Sequence, residues 1–241
     1  MLQADNIHFG YGDRKILNGV SLSVPTGGVT VLIGPSGTGK TTLLRCLALL
    51  EKPQSGTLTV DGQTYAYPLS GPMPPAPWPK LTAVFQQLFL WPHLTLCDNI
   101  LMPAERRGMA GLEAELAALI DAFDMGDFIH RYPNEASLGQ RQRAALARAL
   151  ILKPSYLLLD EITSALDVEQ IAKILDYLKN LRGQSIGIFI ITHLLGFARH
   201  AADQVVFMAN GEVVESGTSD ILRNPQTERL FQFLSVIAAA S

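Results

Sequence analysis

The stretch that most constrains this chain is Val29-Thr30-Val31-Leu32-Ile33 followed by Gly34-Pro35-Ser36-Gly37-Thr38-Gly39-Lys40-Thr41. The β-branched run reads as a strand, the glycines as a loop, and residues 41–50 as a helix. Strand, glycine loop and helix in that order open a parallel α/β core. The loop fits G-x-x-x-x-G-K-[ST]. Its glycines let the backbone turn so that successive amide N–H groups face phosphate oxygens, and the positive end of the following helix adds to the attraction. Lys40 can reach β- and γ-phosphates, and the Thr41 hydroxyl can ligate Mg²⁺. The pattern implies a nucleotide and magnesium without separating kinases, GTPases and ATPases.

The rest of the chain reads as further short elements. Ile7-His8-Phe9, Ile16-Leu17 and residues 20–24 are expected as strands of a small sheet, and residues 56–62 as a strand with a tight turn. Residues 67–79 carry Pro68, Pro72, Pro74, Pro75, Pro77 and Pro79, which excludes a helix interior or a central strand and implies an irregular surface loop. Apolar residues at Leu112, Leu116, Leu119, Ile120 and Phe123 have helical spacing. Residues 137–152 read as a second helix, and residues 220–237 as one or two more. Tyr156-Leu157-Leu158-Leu159-Asp160 and residues 186–192 are continuous apolar runs, as expected of a parallel sheet covered on both faces.

Composition narrows the function. With 48% apolar and 17% charged residues among 241, the chain can bury a core, and disorder is a poor fit. The net charge of −3 offers no basic excess for nucleic acid, so no nucleic-acid partner is expected. Cys46 and Cys97 lack metal-ligand spacing and read as reduced, buried thiols. The first residues lack the pattern of a signal peptide, and no apolar run nears the roughly 18 residues that span a bilayer. Service at a membrane would therefore go through a partner.

A second site element is the acid pair that ends the second apolar strand. Asp160 can hold Mg²⁺, and Glu161 is placed to polarise an attacking water as general base. Ala136-Ser137-Leu138-Gly139-Gln140-Arg141-Gln142-Arg143, ahead of Ala144-Ala145-Leu146-Ala147-Arg148-Ala149-Leu150, then resembles the signature and helix of ABC ATPases, usually L-S-G-G-Q-x-Q-R. Tyr11, Phe85-Gln86, Ser164-Ala165-Leu166-Asp167 and Thr192-His193 are similar, in order, to that family's adenine-stacking aromatic, Q-loop, D-loop and switch histidine. The resemblance spans about residues 2–234. Residues 88–96, Gly196-Phe197-Ala198-Arg199, Asn224-Pro225-Gln226 and Phe233-Leu234 look most like the polar amino-acid uptake group.

The resemblance implies a P-loop NTPase fold of the ABC ATPase type: a mixed, largely parallel core, a small antiparallel β subdomain, and a helical subdomain. It treats 1–241 as one domain, with 1–87 and 156–241 as core plus β subdomain and 88–155 as the helical part. It implies ATP and Mg²⁺ held by Tyr11, by Gly34 through Thr41 with Thr42, and by Gln86, Asp160 and Asp167. Glu161, His193 and Gln86 are the implied catalytic residues. Ser137, Gly139 and Gln140 are implied to meet the nucleotide across a head-to-tail pair of ATPase subunits, identical or different. The implied partners are a separate transmembrane permease, met through a groove in the helical part, and through it a solute-binding protein, with the ATPase lying peripherally on the cytoplasmic face of the plasma membrane. Arg141, Arg143 and Arg148 read as structural or solvated. Three positions depart from the family: Ala136 replaces the usual leucine, Leu138 replaces the usual first glycine, where free dihedrals and close approach are expected, and Ile162 replaces the usual proline after the acid pair.

Overall fold

The computed structural model describes residues 1–72, 74–162, 168–182 and 185–240. Two sheets share the framework. An antiparallel sheet is ordered β2-β1-β4-β5, from Arg14–Val24 (β2), Leu2–Tyr11 (β1), Ser55–Val60 (β4) and Gln63–Tyr67 (β5). Residues expected as two separate strands, 16–17 and 20–24, belong to the single strand β2, paired along β1 with irregular register. The second sheet has six strands, ordered β10-β9-β3-β8-β7-β6. Val29–Ile33 (β3), Leu81–Val84 (β6), Tyr156–Asp160 (β7), Gly187–Ile191 (β8) and Gln204–Ala209 (β9) run parallel, and Glu212–Gly217 (β10) pairs antiparallel at one edge.

Strand alternation explains why the central strands are apolar throughout. Leu32, Leu158, Phe189, Ile191, Val206 and Met208 face one buried cluster, together with Leu43, Leu44 and Leu47 and the inner face of the antiparallel sheet. Val31, Ile33, Leu157, Leu159, Ile188, Ile190, Val205 and Phe207 face the other, which the remaining helices cover. The helices are Lys40–Leu47 (α1), Leu96–Glu105 (α2), Leu112–Ala122 (α3), Leu138–Leu150 (α4), Val168–Arg182 (α5), Leu195–Ala201 (α6) and Glu228–Ala240 (α7).

In the proline-rich connection Tyr67 ends β5, and residues 68–72 and 74–79 form no helix or strand. Both cysteines are free, and burial pushes the Cys46 thiol up to about 12. Among the described residues, no helix is long and apolar enough to cross a membrane.

The parallel pairing sets the site. Val84 lies opposite Leu159, Asp160 opposite Ile191, and Leu32 opposite both Ile191 and Val206. The C-terminal ends of β6, β7, β8 and β3 are therefore level, and each is followed by residues singled out in the sequence. Ligands of parallel α/β sheets bind at such carboxyl ends.

Candidate functional site

The loop from Gly34 to Gly39 leaves β3 and enters α1. Gly34 has φ +152°, and a Cβ there would lie 2.0 Å from the Met208 carbonyl oxygen on β9, so only glycine fits. Gly39 precedes α1 at φ +97° with no side-chain cap, so the first N–H groups of α1 open into the loop. Lys40 is buried, and its ammonium donates to the Gly34 and Pro35 carbonyls, both at 2.8 Å. Burial pulls the lysine below its ordinary range, while Glu161 and Asp160 pull the other way. A desolvated cation held by carbonyl dipoles, without a bonded counter-ion among the described residues, suits an incoming anion.

A cleft of about 580 Å³ opens above this loop. It brings together Tyr11, Ser36, Gly37, Gly39, Lys40, Thr41, Thr42, Gln86, Glu161 and His193 from five separate segments. Pro35 and Thr38 line an adjoining cleft that shares Ser36 and Gly37. Tyr11 is 52% exposed at the rim. Its ring meets Phe9 edge-on at 4.9 Å, and its hydroxyl donates to Glu51 at 3.0 Å. The cleft also holds Arg14 and Ile16, which sequence reasoning missed. Their only sequence signal was proximity to Tyr11.

Asp160 lies beneath Thr41 and is 2% exposed. Burial raises its carboxyl above the usual range, offset in part by a hydrogen bond from Thr41 and by Lys40. Glu161 follows at φ +51°, a conformation uncommon outside glycine and often found at functional sites. Its N–H donates to the Ile191 carbonyl at 3.0 Å, which pins the acid to the end of β8. The Glu161 Oε1 and His193 Nε2 atoms are 2.5 Å apart. Ile162 is 2% exposed and packs in the core on the helix-covered face of the sheet, so the residue replacing proline is anchored by apolar contact. Thr41, Asp160 and Gln86 offer hard oxygen donors of the kind magnesium takes. Among the described residues, no three His, Cys, Asp or Glu side chains converge as a metal cage.

Ser137, Gly139 and Gln140 do not line this cleft. They form the start of α4. Ser137 accepts from the Gln140 N–H at 3.2 Å, and Gln140 Oε1 accepts from the Ser137 N–H at 2.9 Å, a reciprocal cap. Leu138 is the first residue of the helix, has no left-handed φ, and is 44% exposed. The freedom of glycine is therefore not required at this position; only the bulk of the side chain distinguishes it from the usual residue. Asp167, with Ser164, Ala165 and Leu166, lies outside the described residues.

Comparison with known proteins places the chain in a family. The ABC transporter family model matches residues 17–164. The arginine transport ATP-binding protein ArgV of Corynebacterium glutamicum is 38% identical, the alignment covering 98% of this chain and 97% of that protein. The glutamine transport ATP-binding protein GlnQ of Escherichia coli is also 38% identical, with 99% and 100% covered. Among solved structures, a dimeric ATP-binding cassette in a post-hydrolysis state, bound to ADP and Pi, superposes with a TM-score of 0.79 at 28% identity, covering 91% of this chain and 99% of that one. The phosphate loop, the acid-ended strand and the capped signature helix thus occur in a chain that matches such proteins over nearly its whole length, and the chain belongs to the ABC transporter family as an ATP-binding, ATP-hydrolysing subunit.

Proposed function

We propose that this subunit hydrolyses Mg²⁺-ATP at sites shared between two ATPase subunits and so drives uptake of polar amino acids through a separate permease. One observation carries the reading. Lys40, Glu161 and His193 line one cleft, with Asp160 buried close to Lys40, while the capped signature residues Ser137, Gly139 and Gln140 are absent from its lining. A site whose donors lie on two surfaces of one chain is completed by a second subunit, in head-to-tail pairing.

In this reading Tyr11 stacks on adenine, and the loop N–H groups from Gly34 to Thr41 with Lys40 hold the phosphates, with Thr42 beside them. Thr41, Asp160 and Gln86 hold the magnesium ion, whose role when bound is to neutralise phosphate charge. Glu161 takes a proton from the attacking water as general base. His193, in contact with Glu161, orients that carboxylate and faces the γ-phosphate. Ser137 and the Gly139 N–H of the second subunit approach the γ-phosphate from the N-terminus of α4, next to Gln140, and closure excludes water. Asp167 belongs to the loop expected between the two subunits.

We assign residues 88–155 to a helical subdomain that receives the permease, and the remainder to the nucleotide-binding core. The subunit then lies peripherally on the cytoplasmic face of the membrane, and a solute-binding protein reaches it only through the permease. The relatives named for arginine and glutamine transport support the amino-acid assignment.

The test is to purify the tagged chain from its own cells in mild detergent and reconstitute the complex. The expected outcome is a multi-span membrane protein in the eluate, with ATP hydrolysis stimulated by polar amino acids. Stimulation by sugars, metal ions or lipids alone would overturn the solute class.

A further inference from the structure

Arg148 lies on α4, eleven residues after Ser137, or roughly 16 Å along the helix axis. Its guanidinium reaches from α4 to the main chain that follows Gln86. One terminal nitrogen donates to the Phe89 carbonyl at 2.8 Å and the other to the Leu88 carbonyl at 2.6 Å. Its face lies over the Trp91 ring at 5.1 Å. Burial lowers the guanidinium below its ordinary range, so this charge has given up water for those carbonyls and that ring. Phe89 sits at φ +48°, a conformation a bulky residue rarely adopts. Two consecutive carbonyls converge on one arginine across this turn. A planar fork can bond both while its face stacks on an indole, whereas a lysine ammonium cannot do all three.

Arg143 provides the contrast. It donates to the Phe123 and Asp124 carbonyls and lies over Phe128, so it braces α4 against neighbours from the same stretch of chain. Arg148, by contrast, reaches the segment continuous with Gln86.

We propose that Arg148 is a positioning residue that locks the strained Leu88–Phe89 turn to the signature helix, so that displacement of Gln86 by nucleotide carries the N-terminus of α4 with it. The proposal rests on the assignment of Gln86 and the signature given above. It means that occupancy of a subunit's own cleft is transmitted to the surface that this subunit offers to the other's nucleotide. Arg148 touches neither nucleotide nor magnesium in this scheme.

The test compares Arg148→Met with the parent protein by three readouts: ATP affinity, Mg²⁺-ATP hydrolysis, and a spin-label distance from Asn134→Cys, beside the signature, to Ala66→Cys on β5. The distance is measured in a Cys97→Ser, Glu161→Gln background with and without Mg²⁺-ATP; Cys46 is fully buried. Arg148→Met is expected to keep ATP affinity within about twofold and to lose about tenfold to a hundredfold in hydrolysis. It should also lose the nucleotide-driven change in distance, and Arg148→Lys should recover only part of each. Hydrolysis within about twofold of the parent protein overturns the proposal. So does an unaltered distance change accompanied only by a lower melting temperature, which would mark a structural arginine. If Arg148→Met does not fold, Trp91→Leu and Arg148→Lys each weaken one side of the clamp and are read against the same outcomes. Failure of the parent protein to bind ATP would overturn the ATPase reading itself, and the clamp with it; binding without any distance change would overturn the clamp alone.

Discussion

Asn99 is fully buried on α2 and makes four hydrogen bonds to the segment before its helix. Its Oδ1 accepts from the Trp91 N–H at 2.8 Å, and its Nδ2 donates to the carbonyls of Trp91, Leu94 and Thr95 at 3.0, 3.1 and 2.8 Å. This one amide replaces the water that residues 91–95 would otherwise need. Asn99→Ala removes bonds worth about 1 kcal/mol each net and leaves the Trp91 N–H and the Leu94 carbonyl without this partner. The expected loss of stability is about 3–4 kcal/mol, or roughly 1–2 M in the urea midpoint. Asn99→Asp has nearly the same shape but turns donors into a charged acceptor aimed at three carbonyls. It should therefore be less stable than Asn99→Ala at pH 7, with the gap closing as the new carboxyl is protonated. Urea titrations of the three proteins at pH 7 and pH 5 decide this. A loss below about 1 kcal/mol for alanine, or aspartate as stable as alanine at pH 7, would refute the account of this segment.

Three other outcomes follow from the site and its surroundings. Glu161→Gln should lower hydrolysis by about 10²–10⁴ while ATP binding persists, read by turnover and equilibrium binding side by side. Leu138→Gly should raise turnover, because the backbone there is already helical and only exposed bulk is removed; an unchanged or lower rate would show that the leucine does not crowd the second subunit. Burial alone would raise Glu215, but the Thr227 hydroxyl at 2.6 Å and the N–H groups of Gln226 and Thr227 hold its carboxyl below the ordinary 4.5. Because the folded-state value is the lower one, its contribution is complete above pH 4.5 and is lost as pH falls through that lowered value. Glu215→Ala should accordingly cost about 2–3 kcal/mol in denaturation at pH 7, with a shrinking difference in acid.

What the sequence made legible was local. β3 and β7 announced themselves because a strand buried on both faces must be apolar throughout, and the phosphate loop because only glycine avoids the Met208 carbonyl at position 34. α2 escaped notice although Thr95 and Asp98 form a capping box, since Pro103 within the helix argues against one. β9, equally buried, escaped as well; nothing chemical marks its end, and it matters by lying beside β3. The separation of Ser137 from the cleft and the reach of Arg148 to Leu88 and Phe89 are products of tertiary packing. No spacing along the chain encodes them, which is why Arg148 looked merely structural or solvated. Leu138 shows the converse: a residue that looked troubling for the backbone sits in an ordinary first helical turn.

The central claim is that two subunits complete each other's ATP sites. The most direct test is Mg²⁺-ATP hydrolysis per mole of purified chain across a range of protein concentrations, with Glu161→Gln as the control. The specific rate should rise with concentration toward a plateau, and the Glu161→Gln protein should stay near zero throughout. A specific rate independent of concentration, or one that survives Glu161→Gln, would contradict it.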